Sequence, residues 1–341
     1  MDFELSAEQQ ALRDAAAGLL AGRSSTDVVR RAVDRAGAPD PDLWQAMVEQ
    51  GWCGLAVPEK LGGVGLGWVE AAIVLEQVGV HVAPAPVLGH MVALDALADS
   101  GWGPRLIAGE AVAAAAARLD EPCVYAPAAD VVVVPEGDRL VAIDLGDRRP
   151  PAEPAMDLTR PLGWLRTAGL VDTPRLDLGG RAAVTRHADV AAVAYSAELL
   201  GLAQQALETA VAYAKEREQF GRPIGSFQAI KHRCADMLVD VEGMRSAVYW
   251  AAWTVGDRDA PGDEASIAAS TAKCWCSDAA SRVLASALQV HGGIGFTWED
   301  DLHLYLKRAH LNAVSFGDAA HHRARLARLL RHRVEVGGSA L

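Results

Sequence analysis

Two segments in the second half of the chain carry residue types suited to holding a phosphate-bearing ligand. The first, residues 215–228, includes Arg217, whose permanently charged planar guanidinium can contact a phosphate through two hydrogen bonds. In the same segment Phe220 offers an apolar surface, Gly221 is expected to break the helix, and Gln228 can hydrogen-bond an adenosine. An Arg-x-x-Phe-Gly run alone is most often an ordinary helix end, so this Arg217 segment needs support from elsewhere.

That support comes from residues 289–297, here called the Gly292 segment, which contain the pair Gly292-Gly293. Because glycine has no Cβ, the backbone of this pair can approach a phosphate or a ribose closely. Together the two segments predict a clamp for the pyrophosphate and adenosine of a dinucleotide.

The five cysteines do not predict a metal site. Cys274 and Cys276 are close in sequence, but no second Cys or His pair stands at the spacing that metal ligands need. Scattered cysteines of odd number are typical of buried, reduced thiols in a cytosolic protein. We therefore expect no bound metal.

Composition excludes several classes of function. The chain has 341 residues, with 32 Lys and Arg against 44 Asp and Glu, a net charge of −12. An acidic surface repels phosphate backbones, so nucleic acid is not an expected partner. With 51% hydrophobic and 22% charged residues, the chain is expected to fold around a large core. Neither a signal peptide nor an apolar run of membrane-spanning length is recognisable, which predicts a cytoplasmic protein without a membrane partner.

Three regions of different character must position the two segments. Residues 1–104 are predicted to be helical, beginning with a capping box between Ser6 and Gln9. Residues 105–178 are predicted to form a short β domain, because β-branched runs alternate with Pro, Gly and Asp and show no strand–helix alternation. Residues 179–341 are predicted to form a four-helix bundle. The predicted strands are 112–117, 123–125, 131–134 and 140–143, and the predicted bundle helices are 188–216, 228–254, 265–290 and 302–333.

This order of regions resembles the acyl-CoA dehydrogenase superfamily over nearly the whole chain. The resemblance is carried by the two segments and, in the first region, by Gly51-Trp52, Pro58-Glu59 and Gly62-Gly63. The resemblance implies a mostly α fold with a small β domain. It also implies an FAD cofactor, an acyl-CoA substrate and an electron-transfer flavoprotein as electron acceptor. In this family the clamp acts across a subunit interface, on the FAD whose flavin lies in the neighbouring subunit. The cofactor-binding residues implied here are Arg217, Gln219, Phe220, Gln228, Gln289, Val290, His291, Gly292 and Gly293.

The family's catalytic carboxylate is missing from its expected position. Its chemistry removes the α-proton of an acyl thioester while a hydride leaves the β-carbon, which requires a base in a dry pocket. Alignment on residues 306–309 puts Phe316 at the base position, and a phenyl ring cannot accept a proton. The site that a minority of the family uses falls near Ala191. No catalytic residue is therefore assigned. Asp318 and Glu198 are the two candidates for a displaced base, and the sequence around Glu198 favours an ordinary helix residue there.

The middle region departs from the family as well. Members that bind a flavin there have a Cys-x-Thr-Glu-Pro-x-x-Gly-Ser-like loop and a Trp-Ile-Thr-like strand. Residues 123–131 read Cys-Val-Tyr-Ala-Pro-Ala-Ala-Asp-Val, and neither motif is present in the sequence. The chain is therefore predicted not to seat a flavin of its own.

A clamp that is kept while the base and the flavin seat are lost favours a shared active site. The first hypothesis is a subunit of an α2β2 acyl-CoA dehydrogenase, in which this chain supplies its clamp to the FAD of a homologous catalytic partner. Similarity to actinobacterial enzymes that oxidise steroid side-chain CoA thioesters suggests such a substrate. The alternatives are a homo-oligomeric dehydrogenase with Asp318 as a displaced base, and a flavin-free scaffold or acyl-CoA-binding protein.

Overall fold

The computed structural model describes residues 4–257 and 263–335. Within them the chain is mostly helical with a small β region, which confirms the predicted fold class. The domain borders at 104/105 and 178/179 stay predictions. The helices are α1 (Ala7–Arg23), α2 (Thr26–Asp34), α3 (Pro41–Glu49), α4 (Trp68–Val80), α5 (Val87–Leu97), α6 (Gly103–Ile107), α7 (Arg181–Glu216), α8 (Gln228–Gly256), α9 (Glu264–His291), α10 (Leu302–Val314) and α11 (Ala319–Glu335).

The first helices begin and end where local sequence signals place them. The Ser6 hydroxyl accepts the Gln9 amide N–H at 3.2 Å, and the Gln9 side chain accepts the Ser6 N–H at 3.0 Å, so the predicted capping box is confirmed. Asp40 caps α3 by accepting the Leu43 N–H, and Gly51 follows that helix with a φ of 74°. A left-handed residue of this kind favours glycine and lets the chain leave the helix.

The β region is built from short strands. The four predicted strands are all found, and two further strands, β5 and β6, complete the region. A four-stranded sheet has the order β1-β3-β4-β6, with β1 and β3 parallel and the remaining pairs antiparallel. A separate antiparallel pair joins β2 to β5. The strands are β1 (Ala113–Ala115), β2 (Pro122–Val124), β3 (Val131–Glu136), β4 (Arg139–Asp144), β5 (Leu162–Trp164), β6 (Arg175–Gly179), β7 (Glu218–Gln219) and β8 (Arg222–Pro223).

The C-terminal helices form the predicted bundle, with one correction. Three of the predicted helices match α7, α8 and α9, but the fourth, predicted at 302–333, is two helices, α10 and α11. The chain turns between them because Phe316 and Gly317 have φ angles of 56° and 100°, which no α-helix contains. Asp318 then starts the new helix by accepting the His321 N–H. No helix in the described part of the chain is long and apolar enough to cross a membrane.

A buried cluster of charged side chains ties the regions together. This charge cluster consists of Asp157, Arg160, Glu198, Arg308 and Asn312, all buried. Arg160 contacts Asp157 at 2.8 Å and Glu198 at 3.2 Å, and Arg308 contacts Glu198 at 3.4 Å. Asn312 donates to Glu198 at 2.6 Å and accepts from Arg160 at 2.9 Å. Two cations therefore face two anions, which is the condition under which burial of charge is tolerated.

Candidate functional site: a clamp at the helix ends and a cleft beside the β region

The two predicted segments meet at one end of the bundle. Tyr213, near the end of α7, stacks on His291, the last residue of α9, with ring centroids 4.5 Å apart. The chain also folds back on itself after α7, where the Ile224 N–H donates to the Arg217 carbonyl at 2.7 Å. Residues 215–228 and 289–297 thus continue from the ends of two helices that lie side by side, and the two segments together are here called the clamp.

The Arg217 segment presents its polar and apolar groups to solvent. Helix α7 ends at Glu216, and β7 and β8 form a short hairpin after it. The sequence prediction that Gly221 breaks the helix is therefore wrong: Gly221, with a φ of 75°, turns the hairpin five residues later. Arg217, Gln219 and Gln228 are exposed, and Phe220 has 92% of its surface exposed.

The Gly292 segment leaves its backbone open. Gly292 has φ 66° and ψ −142°, a conformation that favours glycine, and no atom lies within 4 Å of the place where a Cβ would stand at Gly292 or Gly293. Gln289 is exposed, whereas the side chains of Val290 and His291 are buried. Exposed glycine backbone in this segment and an exposed guanidinium at Arg217 supply the close approach and the charge that a pyrophosphate requires.

Large apolar side chains stand exposed on and beside the clamp. Besides Phe220, these are Ile294, Phe296 and Trp298, each at least 41% exposed. Clustered exposed apolar groups mark an interaction surface. The clamp therefore has the composition of a surface that another chain or a large ligand covers.

A cleft of about 650 Å³ lies between the β region and the bundle. Ligand pockets in proteins typically enclose about 300–1,000 Å³, so the cleft has room for a sizeable group. Its walls are largely apolar, and a few polar groups interrupt them. The lining side chains include Cys123, Leu162, Val184, His187, Tyr195, Leu311, Val314, Phe316, Asp318 and His321.

Comparison with known proteins identifies the fold and its family. The acyl-CoA dehydrogenase N-terminal domain matches residues 6–101, and the acyl-CoA dehydrogenase C-terminal domain matches residues 179–330. The acyl-CoA dehydrogenase IpdE2 of Mycolicibacterium smegmatis is 37% identical over 316 residues, which cover 92% of this chain and 96% of that protein. The chain belongs to the acyl-CoA dehydrogenase family. Its members are flavoprotein oxidoreductases.

Solved structures with this fold include proteins that form complexes of two different chains. A chain of the ChsE4-ChsE5 complex from Mycobacterium tuberculosis superimposes with a TM-score of 0.86 at 26% identity, covering 97% of this chain and 99% of that one. A chain of the Tcur3481-Tcur3483 steroid ACAD gives a TM-score of 0.85 at 27% identity, covering 96% and 99%. These likenesses extend across the β region as well as the helical regions.

The turn that carries Phe316 is held rigidly in the cleft of this acyl-CoA dehydrogenase. The Phe316 ring packs against His187 and Tyr195, with centroids 5.4 Å and 5.6 Å away. Buried Lys273 donates to the carbonyls of Ala313 and Gly317, both at 2.9 Å. Left-handed backbone at a non-glycine residue costs free energy and persists where its surroundings enforce it. These contacts therefore fix the side chain of residue 316 in the wall of the cleft.

Asp318 lies at the edge of the cleft, but its carboxylate is already engaged. It accepts the His321 N–H at 2.7 Å as the cap of α11. This backbone hydrogen bond lowers the pKa of Asp318 below its usual value. A capping carboxylate with a lowered pKa is a weak base, which disfavours Asp318 for proton abstraction.

Glu198 is not the ordinary helix residue that the sequence suggested. It is 1% exposed and belongs to the charge cluster, where Arg160, Arg308 and Asn312 surround it. Ala191 is also fully buried and has no group that accepts a proton. Neither of these two positions on α7 lines the cleft.

His187 is a cleft residue that sequence reasoning missed. It stands one helical turn before Ala191, and its Nε2 lies 3.1 Å from the Ala116 carbonyl. Burial lowers the pKa of His187 to about 4, so its ring is neutral at neutral pH. A lone histidine in a long apolar helix matches no sequence motif. Only the packing of α7 against the residue that follows β1 shows that His187 lies in the cleft. Within the described residues, no group of three or more His, Cys, Asp or Glu side chains is arranged to hold a metal ion.

Proposed function

We propose that this chain is the clamp-supplying subunit of a heteromeric FAD-dependent acyl-CoA dehydrogenase that forms an α,β double bond in an acyl-CoA thioester. The observation that carries the proposal is the contrast between its two sites. The clamp is open to solvent with Arg217 and the Gly292-Gly293 backbone available, while the cleft presents Phe316 at the position that alignment assigns to the family's base.

The roles within the clamp follow from chemistry and placement. Arg217 would contact the pyrophosphate, Phe220 would pack beside the dinucleotide, and Gln219, Gln228 and Gln289 would hydrogen-bond its sugar and base. The side chains of Val290 and His291 are buried, so these two residues would contribute through their backbone. When bound, FAD supplies the hydride acceptor of the reaction, and the carboxylate base comes from the partner subunit.

The partner that this arrangement requires is a homologous catalytic acyl-CoA dehydrogenase subunit, in an α2β2 assembly. Support comes from the two solved relatives whose names join two different chains, and from the exposed apolar side chains beside the clamp. We propose a steroid-derived CoA thioester as substrate, because one of those two relatives is named a steroid ACAD. Electrons would pass to an electron-transfer flavoprotein.

The test is the visible spectrum of this chain, purified alone and after co-expression with a catalytic homologue from the same genome. We expect a colourless protein alone and a yellow complex with about one FAD per two chains, the ratio of a half-site assembly. Arg217→Ala should lower the FAD content of the complex, and Arg181→Ala, at the opposite end of the same helix, should not.

Two other outcomes would overturn the proposal in favour of the alternatives. A yellow protein alone, with one FAD per chain that acyl-CoA reduces, would show a homo-oligomeric dehydrogenase and return attention to Asp318. A complex whose FAD content does not respond to Arg217→Ala would show a scaffold that keeps the bundle for assembly alone.

A further inference from the structure

Lys273 is a buried amino group that no carboxylate pairs with. It lies on α9 and has no surface exposed to solvent. Its Nζ donates to the Ser277 hydroxyl at 3.1 Å and to the carbonyls of Ala313 and Gly317, each at 2.9 Å. Within residues 4–257 and 263–335 it forms no ion pair, because Asp318, the carboxylate that acts on it, caps α11 instead. A buried charge without a counterion is unfavourable, so this amine favours its neutral form.

The other titratable groups packed around Lys273 do not pair with its charge either. On its own helix these are the thiols of Cys274 and Cys276, and burial raises the pKa of Cys276 to about 12. From α11, His321 and His322 face it, and burial lowers the pKa of both imidazoles, which are therefore uncharged at neutral pH. A proton taken up by Lys273 thus adds a positive charge that no neighbour neutralises.

The carbonyls that Lys273 holds belong to the turn that carries Phe316. Ala313 lies in the last turn of α10, and Gly317 directly follows Phe316. His322 contacts the Phe316 carbonyl at 3.1 Å from the other side. The left-handed backbone at Phe316 and Gly317 is strained, and it relaxes when the contacts that enforce it are lost. Because Phe316 lines the cleft, opening of this turn changes the cleft wall.

We propose that the turn between α10 and α11 is a proton-operated latch on the cleft, closed while Lys273 is neutral and released when Lys273 takes up a proton. In the closed turn the neutral amine donates to the carbonyls. Release brings the charged ammonium into contact with water and withdraws the Phe316 ring from the cleft wall. The one chemical change is the binding of a proton from solvent by Nζ.

The direction of the switch follows from proton linkage. Burial lowers the pKa of Lys273 to about 7, whereas the hydrated amine of the open turn regains its ordinary value of 10.5. Between these two values the open turn binds more protons than the closed turn, so a fall in pH favours opening. The ratio of open to closed turn therefore rises about tenfold per pH unit down to about pH 7 and is constant below it.

The test is hydrogen exchange of the full chain, followed by mass spectrometry between pH 6 and pH 9. Protection factors, which correct for the intrinsic exchange rate at each pH, are read at the amides of Ser315 and His322, which donate to the Leu311 and Asp318 carbonyls. We expect their protection to fall about tenfold per pH unit from pH 9 to about pH 7 and then to level off. Peptides from the buried helix α4 should stay more protected at every pH, because they exchange only through global unfolding.

Two variants remove the titrating group. Lys273→Met keeps the side-chain volume, and Lys273→Gln keeps an N–H donor for the turn. In both, the protection of the turn should be independent of pH, whatever its absolute value. Cys274→Ser is the matched control, because it changes the adjacent residue and leaves the amine in place, and its profile should follow wild type. Circular dichroism shows whether each variant is folded.

Protection of the turn that does not change with pH in wild type would overturn the inference, and so would the same pH dependence in Lys273→Met and Lys273→Gln. Equal protection of the turn and of α4 would overturn it as well, since the opening would then be global unfolding. The measurement contains neither FAD nor a partner chain, so its failure is distinct from a failure of the half-site proposal, which is read from FAD content.

Discussion

Tyr213 and His291 stack with their ring centroids 4.5 Å apart, and this contact joins the end of α7 to the end of α9. Arg217 follows Tyr213 by one helical turn, and Gly292 follows His291 directly. The stack therefore holds together the two helix ends from which Arg217 and the open glycine backbone continue.

We expect Arg217→Ala to weaken FAD binding by the complex by about 1.5–3 kcal/mol, the usual value of a hydrogen bond to a charged group. Arg217→Lys keeps the charge but loses the planar fork, so it should recover only part of the affinity. Titration of the apo complex with FAD, followed by absorbance, measures both. Equal affinity of wild type and Arg217→Ala would show that Arg217 does not contact the cofactor.

Asp318→Asn should leave the rate of flavin reduction by acyl-CoA within about twofold of wild type, because Asp318 caps a helix and is not the base. Loss of a general base would lower the rate by about 10²–10⁴-fold. Asparagine also caps helices well, so the fold should be retained. Stopped-flow absorbance of the complex gives the rate. A hundredfold loss at unchanged FAD content would make Asp318 the base and contradict the proposed division between subunits.

Lys273 should make stability depend on pH in the alkaline range. Burial lowers the pKa of Lys273 to about 7, from an ordinary value of 10.5. Between these values the unfolded chain holds a proton that the folded chain has released, so this group favours folding increasingly as pH rises from about 7 to 10.5. The resulting gain in the free energy of unfolding approaches about 1.4 kcal/mol per pH unit, the value for one proton.

Lys273→Met removes that gain at nearly constant side-chain volume. The free energy of unfolding from urea titrations at several pH values should therefore rise more steeply for wild type than for Lys273→Met. Lys60→Met, at an exposed position, serves as the control and should follow wild type. Parallel profiles for wild type and Lys273→Met would contradict the assignment.

The charge cluster should be far more sensitive to substitution than surface ion pairs. Arg308→Met leaves Glu198 with one guanidinium fewer in a buried site, and breaking a buried pair costs about 3–5 kcal/mol. Arg181→Ala breaks an ion pair with Asp138 whose side chains are 80% and 74% exposed, and it should leave the free energy of unfolding nearly unchanged. Urea titrations give the free energy of unfolding of both variants. Similar losses for Arg308→Met and Arg181→Ala would show that burial does not determine the contribution of these ion pairs.

Helix boundaries were predicted well where capping residues mark them in the sequence. Ser6 and Gln9 lie within three residues of each other, so sequence spacing was sufficient to place the start of α1. The break at Phe316 was missed because no proline marks it, and its left-handed backbone is enforced by Lys273, which lies more than one helix away in the chain.

The parts of the site that depend on distant residues could not be predicted from spacing. Glu198 was interpreted as an ordinary helix residue because Arg160 and Arg308, which neutralise it, lie in other regions of the chain. Lys273 would be expected on a helix surface, and only its packing against the turn after α10 explains its burial.

The charge cluster also determines how the chain comes apart. Asp157 and Arg160 belong to the β region, Glu198 to α7 and Arg308 to α10, while the Ala83 carbonyl after α4 accepts from Arg308 at 3.0 Å. If any one of these parts unfolded alone, it would strand opposite charges in an apolar interior without their counterions. The cluster therefore opposes the separate unfolding of any one region and should couple the three regions in unfolding.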